Sequence, residues 1–164
     1  MNKVEINKSM KLSQHFTLGE LCKTSYHTLD GNIPSRVAIE NLERLCVWLE
    51  KLRLIYNEKY GFLTKPGDKD KEMPVKINSG YRSEEVNRMC GGAKESNHLT
   101  GCAVDIQCLG PEQMIRYACI LLDTADENRW KFDELIQEKR GSTYWVHFAV
   151  KPKDNRRKIL FDCK

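Results

Sequence analysis

The sequence of 164 residues lacks the features that mark several common classes of protein. No apolar run approaches the roughly 18 residues of a membrane-spanning helix, and residues 1–8 lack the apolar core of a signal peptide. Repeats and low-complexity tracts are missing, and no basic face interleaved with aromatic residues indicates nucleic-acid binding. The net charge of +4 is mild and is typical of a solvated surface, although it also favours an anionic partner. We therefore expect a protein that is cytoplasmic at synthesis and binds neither membranes nor nucleic acid.

The seven cysteines form no CxxC pair, which argues against a structural zinc ribbon. Several occupy apolar positions at helical spacing, as Cys46 does between Leu42 and Leu49. That pattern is typical of buried thiols in a protein made in a reducing compartment. Catalytic cysteine chemistry is the alternative interpretation.

Composition and periodicity predict an α+β fold in a single domain that covers residues 1–164. With 40% apolar and 30% charged residues, the chain has the mix of a globular protein with a substantial core. Helices are predicted after Thr17 and over Ser35–Tyr60, Ser83–Met89 and Pro111–Asp123, strands over Val75–Asn78, Ala103–Cys108, Phe132–Gln137, Tyr144–Val150 and Lys158–Phe161, and an exposed loop over Gly61–Met73. Helices followed mainly by strands predict a small antiparallel sheet with the N-terminal helices packed on one face.

The most informative segment covers residues 96–105, with the sequence SNHLTGCAVD. It contains His98 and Asp105, and a second histidine, His147, lies in a later predicted strand. Strand alternation places Asp105 and His147 on the faces of their strands that point away from the apolar residues, so the three side chains can meet in one cleft. Two imidazoles and one carboxylate form a ligand set for a catalytic zinc that keeps an open fourth position. The alternative is that these are ordinary surface or hydrogen-bonded residues.

The same residues resemble the signature of a known family. The pattern S-x-H-x-x-G-x-A-x-D over residues 96–105, followed by Trp145-x-His147, is similar to that of the zinc D-alanyl-D-alanine carboxypeptidases. This family includes VanX- and VanY-like enzymes and many phage endolysin domains. The similarity extends over nearly the whole chain, through residues 12–18, 79–83, 86–87, 91–92 and 132–136.

The resemblance implies a Zn²⁺ cofactor, and the residues that match its ligands are His98, Asp105 and His147. Arg82 matches an arginine that stabilises the substrate carbonyl and the oxyanion, a task that suits the permanently charged guanidinium. Ser96 matches a serine near the free carboxylate of the substrate, and Tyr81 and Trp145 are assigned to substrate binding. The alternative roles are a surface salt bridge for Arg82 and a loop cap for Ser96.

The general base is the weak point of the resemblance. The best-known members carry Glu or Asp three residues before the last histidine, whereas this chain has Tyr144 there, and a neutral phenol is a poor base. Glu138 is our candidate for the general base in place of that acid, because a hairpin that turns through residues 139–143 would place it across from Trp145, on the face of His147. A shift of one residue in register would turn it away. Asp133 and Glu134 are further candidates, although solvation at the strand end is the role we expect for them.

Two functions follow from these assignments. The first is a zinc metallopeptidase that hydrolyses peptidoglycan stem peptides at a bond involving a D-amino acid, acting as a monomer. The second is a catalytically inactive module that binds wall peptide or forms part of a phage particle, an interpretation that Tyr144 supports. A phage or prophage origin, with release at lysis, is the preferred hypothesis for how the protein reaches the cell wall. Trimming of recycled wall peptides in the cytoplasm is the alternative.

Overall fold

The computed structural model describes residues 7–61 and 72–164. Within these residues no helix is both long enough and apolar enough to cross a membrane. The predicted loop Gly61–Met73 lies almost entirely outside the described residues. The described helices are α1 (Leu18–Leu21), α2 (Arg36–Tyr60), α3 (Glu84–Met89) and α4 (Pro111–Asn128), with a 3-10 helix at Asn97–Thr100, and the strands are β1 (Ile77–Ser79), β2 (Ala103–Cys108), β3 (Glu134–Arg140), β4 (Thr143–Ala149) and β5 (Lys158–Cys163).

The helices begin where the sequence supplies capping groups. The helix predicted after Thr17 is α1, where Thr17 and Glu20 form a capping box in which each side chain accepts a hydrogen bond from the backbone N–H of the other residue. Ser35 caps α2 by accepting from the N–H of Ala38. Helix α4 begins at Pro111, as predicted, but continues five residues beyond the predicted end at Asp123. This last part stays helical because its residues include buried ones that extend the packed face of α4.

The strands form one sheet in the order β1-β2-β4-β3-β5. The predicted β3–β4 hairpin is present, and β2 has the predicted bounds. The β1–β2, β2–β4 and β3–β4 pairs are antiparallel, but β5 pairs with β3 in parallel. The sheet is therefore mixed rather than wholly antiparallel, because the connection after β4 returns the chain to the far side of β3. The α+β class is confirmed.

Helices α2 and α4 pack against each other and cover one face of the sheet. Trp48 of α2 makes edge-on contacts with Phe148 of β4 and with Phe132, at centroid distances of 5.1 and 6.5 Å. Tyr56 of α2 meets Tyr117 of α4 in the same way at 5.0 Å. The apolar side chains of β2 and β4 point into this layer, so their polar side chains point to the opposite face.

The buried cysteines behave as the sequence predicts. Four of the seven are buried and three are exposed. Burial raises the pKa of Cys22, Cys46 and Cys108 to about 12, so these thiols stay protonated at neutral pH. A protonated thiol is a weak nucleophile and a weak metal ligand, which argues against catalytic chemistry at these three positions.

Candidate metal centre

His98 is held by a tight loop between α3 and β2. Ser96 begins the 3-10 helix by accepting the N–H of His98 at 3.3 Å, and Gly101 ends it in the left-handed region at φ 72°. A side chain at Gly101 would lie 2.4 Å from the carbonyl oxygen of Ala38, so both backbone conformation and space require glycine there. Nδ1 of His98 lies 2.6 Å from the carbonyl oxygen of Gly80. Because a carbonyl only accepts, Nδ1 carries a proton, and Nε2 is the ring nitrogen that faces Asp105.

Asp105 and His147 lie directly opposite each other in the β2–β4 register. Oδ1 of Asp105 is 2.9 Å from Nδ1 of His147 and 3.3 Å from Nε2 of His98. All three ligand atoms lie within 4.8 Å of one another. Zinc bonds of about 2.0–2.1 Å in a tetrahedral site imply ligand atoms about 3.3 Å apart. The donor set, and the 2.9 and 3.3 Å that separate Asp105 from the two histidines, therefore fit a zinc with three protein ligands.

The charges of the centre are strongly coupled. Burial alone would raise the pKa of Asp105, but the two histidines outweigh it and hold the pKa well below its usual range. Burial alone would lower the pKa of His147, but hydrogen bonds to Asp105 and Glu134 raise it to about 9. In the metal-free centre both ring nitrogens of His147 therefore carry a proton at neutral pH. A metal that binds His147 must displace one of these two protons, because only the neutral imidazole is a ligand.

Arg82 lies at the wall of the same centre. Its Nη2 donates to Oδ2 of Asp105 at 2.7 Å, and its Nε donates to Oγ of Ser79 at 2.8 Å. The guanidinium is largely buried. Arg82 is therefore not the surface salt bridge of the alternative interpretation. It holds the second oxygen of the ligand carboxylate and places a permanent positive charge next to the metal position.

Glu138 and Trp145 form a cross-strand pair in the β3–β4 hairpin, which is the register that brings Glu138 onto the face of His147. The indole Nε1 of Trp145 donates to Oε2 of Glu138 at 2.7 Å. Both side chains line one cleft with the three ligands. Burial raises the pKa of Glu138, and the charge of Asp105 adds to this effect, against the opposing contributions of Trp145, His147 and Arg140.

Of the other two residues that were predicted to bind substrate, Ser96 lies at the cleft and Tyr81 does not. Ser96 lines the cleft and also caps the 3-10 helix, so the loop-cap role is present. Tyr81 is not among the residues that line the cleft. Its ring is half-buried and packs against the apolar core, while its backbone N–H donates to the carbonyl of Leu21 at 2.7 Å. Tyr81 therefore supports the loop below the centre rather than facing its opening.

A polar network behind His147 was missed or misjudged from the sequence. Asp133 is fully buried and accepts hydrogen bonds from Arg156 and Asn97. These bonds outweigh burial and hold the pKa of Asp133 well below its usual range. Glu134 contacts Nε2 of His147, which lowers the pKa of Glu134 to about 2. The prediction that Asp133 and Glu134 are solvated strand-end residues is therefore wrong.

Strand parity could have indicated Glu134. It lies four residues before Glu138 in the same strand, and side chains at even spacing share a face. Arg156 gave no such signal, because it lies in the connection to β5 and meets Asp133 and Glu134 only through the fold.

The cleft around the centre has a volume of about 660 Å³. Its wall carries both carboxylates and cations. The cationic side chains that line it are Arg82, Arg140, Lys151 and Arg156.

Comparison with protein families decides what this geometry represents. A family model described as Peptidase M15 matches residues 14–136, which is three quarters of the chain. The chain belongs to the peptidase M15 family. Comparison with curated proteins gives no relative that matches the chain. The M15 match includes His98 and Asp105, whereas His147 and Glu138 lie beyond its end, so their membership of the centre rests on the geometry above.

Membership of the M15 family implies a hydrolase, and M15 peptidases are zinc-dependent. The group formed by His98, Asp105 and His147 is suited to hold that metal. Tyr144, three residues before His147, pairs with Cys108 and Lys139 and packs against the core. Because residues three apart in a regular strand face opposite sides, this position is turned away from the centre.

Proposed function

We propose that this member of the M15 family is a zinc-dependent peptidase that hydrolyses peptidoglycan stem peptides at a bond involving a D-amino acid. The observation that carries the proposal is the convergence of His98 Nε2, Asp105 Oδ1 and His147 Nδ1 in one cleft. Zinc with three protein ligands supplies Lewis acidity toward a carbonyl oxygen and toward water at its open position. That combination suits amide hydrolysis.

Arg82 is the group that we assign to the developing negative charge on the scissile carbonyl oxygen. Its guanidinium is held in place by Asp105 on one side and Ser79 on the other. A donor that is fixed before the reaction loses little free energy in reorganising when charge develops. The role is therefore supported by the rigidity of the side chain as well as by its charge.

Glu138 is the group that we assign to proton transfer. Its carboxylate takes a proton from the attacking water as the carbon–oxygen bond forms, and it delivers that proton to the amine nitrogen as the carbon–nitrogen bond breaks. A general base works best when its pKa lies near the working pH, and burial moves the pKa of Glu138 upward. The indole of Trp145 fixes one carboxylate oxygen at 2.7 Å and leaves the other for the proton.

The charge of the chain also favours a substrate with free carboxylates, because the chain as a whole is cationic and stem peptides of peptidoglycan carry several carboxylates. Arg140, Lys151 and Arg156 lie on the cleft wall, where each already pairs with an acid of the chain. Ser96 and Trp145 are the further side chains that we assign to substrate contact, and we expect the monomer to be sufficient.

The test uses zinc-loaded protein and defined stem peptides. We expect one zinc per chain and cleavage of a peptide with a D-amino acid at the scissile bond, with less cleavage of its L-isomer. Glu138→Ala and Glu138→Gln are expected to lower kcat by about 10²–10⁴-fold while zinc stoichiometry stays at one. Tyr144→Phe is the matched control in the same hairpin and should retain activity.

Two results would contradict the proposal in different ways. Zinc at one per chain with no turnover of any stem peptide would favour the inactive wall-peptide-binding module. Full activity in both Glu138 variants would leave the peptidase standing and remove Glu138 as its base.

A further inference from the structure

The two histidines of the centre present opposite ring nitrogens to it. His98 faces the centre with Nε2, while its Nδ1 meets the Gly80 carbonyl at 2.6 Å. His147 faces the centre with Nδ1, while its Nε2 lies 3.2 Å from Oε2 of Glu134. A neutral imidazole carries one proton, so the partner on the far nitrogen decides which nitrogen is free to bind a metal. That partner is a backbone carbonyl for His98 and the Glu134 side chain for His147.

Glu134 is itself held on both carboxylate oxygens. Oε2 accepts from Nδ2 of Asn97 at 3.1 Å, and Oε1 accepts from Nη2 of Arg156 at 2.9 Å. The Nδ2 atom of Asn97 also contacts Asp133, and Asn97 is the neighbour of His98 in sequence. The carboxylate therefore has a fixed position relative to both histidines.

Arg156 connects this arrangement to the C-terminal part of the chain. It makes three hydrogen bonds to the buried Asp133, two from its side chain at 2.9 and 2.6 Å and one from its backbone at 3.1 Å. The same Nη2 atom reaches Glu134. Since Arg156 lies beyond residue 136, where the family match ends, this support comes from a part of the chain that the match does not cover.

We propose that Glu134 is the positioning residue of the metal centre, which accepts the Nε2 proton of His147 and so presents Nδ1 to the metal, and that Arg156 acts through Glu134. A carboxylate behind a ligand histidine fixes the tautomer and the ring orientation, and it makes the ligating nitrogen more basic. The inference rests on the metal-binding part of the proposed function and needs nothing from its substrate.

The first measurement needs no variant. Long-range ¹H–¹⁵N spectra of the zinc-loaded chain should show His147 protonated at Nε2 and His98 protonated at Nδ1. Each histidine should then have its other nitrogen bound to the metal. A His147 protonated at Nδ1 in the zinc-loaded chain would overturn the proposal.

The second measurement is zinc affinity of the metal-free chain by competition with a chromogenic chelator. Glu134→Ala is expected to weaken zinc binding by about 10–100-fold. Glu134→Gln keeps a neutral acceptor for the Nε2 proton and should recover part of that loss. Glu95→Gln is the matched control, because it removes the same charge from an exposed position on the cleft wall.

The role of Arg156 is tested by combination. Arg156→Met should weaken zinc binding less than Glu134→Ala does, and the double variant should bind zinc no more weakly than Glu134→Ala alone, because interacting residues are not additive. Arg157→Met is the control, since Arg157 pairs with Asp126 at the surface, and it should leave affinity unchanged. Full additivity in the double variant would overturn the claim that Arg156 acts through Glu134.

A Glu134→Ala chain that binds zinc as tightly as the unaltered chain would overturn the positioning role. These readouts are separate from the test of the proposed function. Absence of peptide cleavage with the predicted tautomers and affinities refutes the peptidase and leaves the positioning role intact.

Discussion

Substitution of Gly80 by alanine tests how the loop below the metal centre is built. Gly80 supplies the carbonyl that accepts the Nδ1 proton of His98. A Cβ atom at this position would lie 2.2 Å from the carbonyl oxygen of Leu21 and 3.0 Å from its carbon. Real Cβ contacts essentially never fall below 3.0 Å, so the two segments must separate by about 0.8 Å, the difference between those two values.

The expected loss of stability follows from the groups that this separation disturbs. The same Leu21 oxygen accepts the backbone N–H of Tyr81 at 2.7 Å, and loss of such a bond costs about 0.5–1.5 kcal/mol. Forcing extra volume into a packed region costs about 1–3 kcal/mol. Alanine restricts the unfolded chain more than glycine does, and this effect raises the free energy of unfolding by about 0.4–1 kcal/mol. We expect the free energy of unfolding of Gly80→Ala to fall by about 2–3 kcal/mol.

The assay is urea unfolding of the metal-free chain, followed by zinc affinity of the folded variant. Because the Gly80 carbonyl orients His98, zinc binding should weaken by at least about 10-fold. Gly110→Ala is the control, since Gly110 is extended and a Cβ there meets nothing within 4 Å. A Gly80→Ala chain that unfolds within about 0.5 kcal/mol of the unaltered chain, with unchanged zinc affinity, would refute the reasoning.

Two further predictions concern stability and thiol accessibility. Asp133→Asn should lower the free energy of unfolding at pH 7 by about 2–3 kcal/mol, because Arg156 loses its charged partner but is half-exposed and recovers solvation. The folded-state pKa of Asp133 is lowered, so the stability that its charge contributes is present above the unfolded pKa of about 3.9 and is lost as the pH falls from there toward the folded-state pKa. The difference in free energy of unfolding between the two chains, measured by urea unfolding, should therefore narrow from pH 7 to pH 3. A difference that stays constant would contradict this. In the native chain a thiol reagent should rapidly modify only the exposed cysteines, which are Cys90, Cys119 and Cys163. Mass spectrometry before and after denaturation counts the modified thiols, and rapid labelling of the buried Cys46 would contradict the fold.

The parts of the fold that were predictable from the sequence are those set by local chemistry. The capping box at Thr17 joins residues three apart in the chain, and the faces of the side chains over Ala103–Cys108 follow from strand geometry. The parallel pairing of β5 with β3 was not predictable in this way. Nothing within Lys158–Cys163 specifies which strand it will join, because that choice depends on the path of the whole chain.

In the candidate site, too, the residues placed by local strand geometry were predictable and those placed by long-range contacts were not. Strand parity placed Asp105 and His147 on one face, since parity is a property of each strand alone. The network of Asp133, Glu134 and Arg156 escaped prediction because its contacts span 22 and 23 residues. Sequence alone predicts that a charged residue just before a strand is exposed to solvent. Asp133 is instead fully buried by the tertiary structure.

The β3–β4 hairpin determines whether a carboxylate can reach the metal centre. An acid in place of Tyr144 would sit on the strand face that packs against the core, as Tyr144 does, so in a regular β4 the base has to come from a neighbouring strand. The residue across from Trp145 is Glu138. A shift of one residue would turn Glu138 away from the cleft together with every second side chain of β3. The short turn at Gly141, which adopts a φ of 58°, fixes that register and therefore matters to the proposed chemistry as directly as the ligands do.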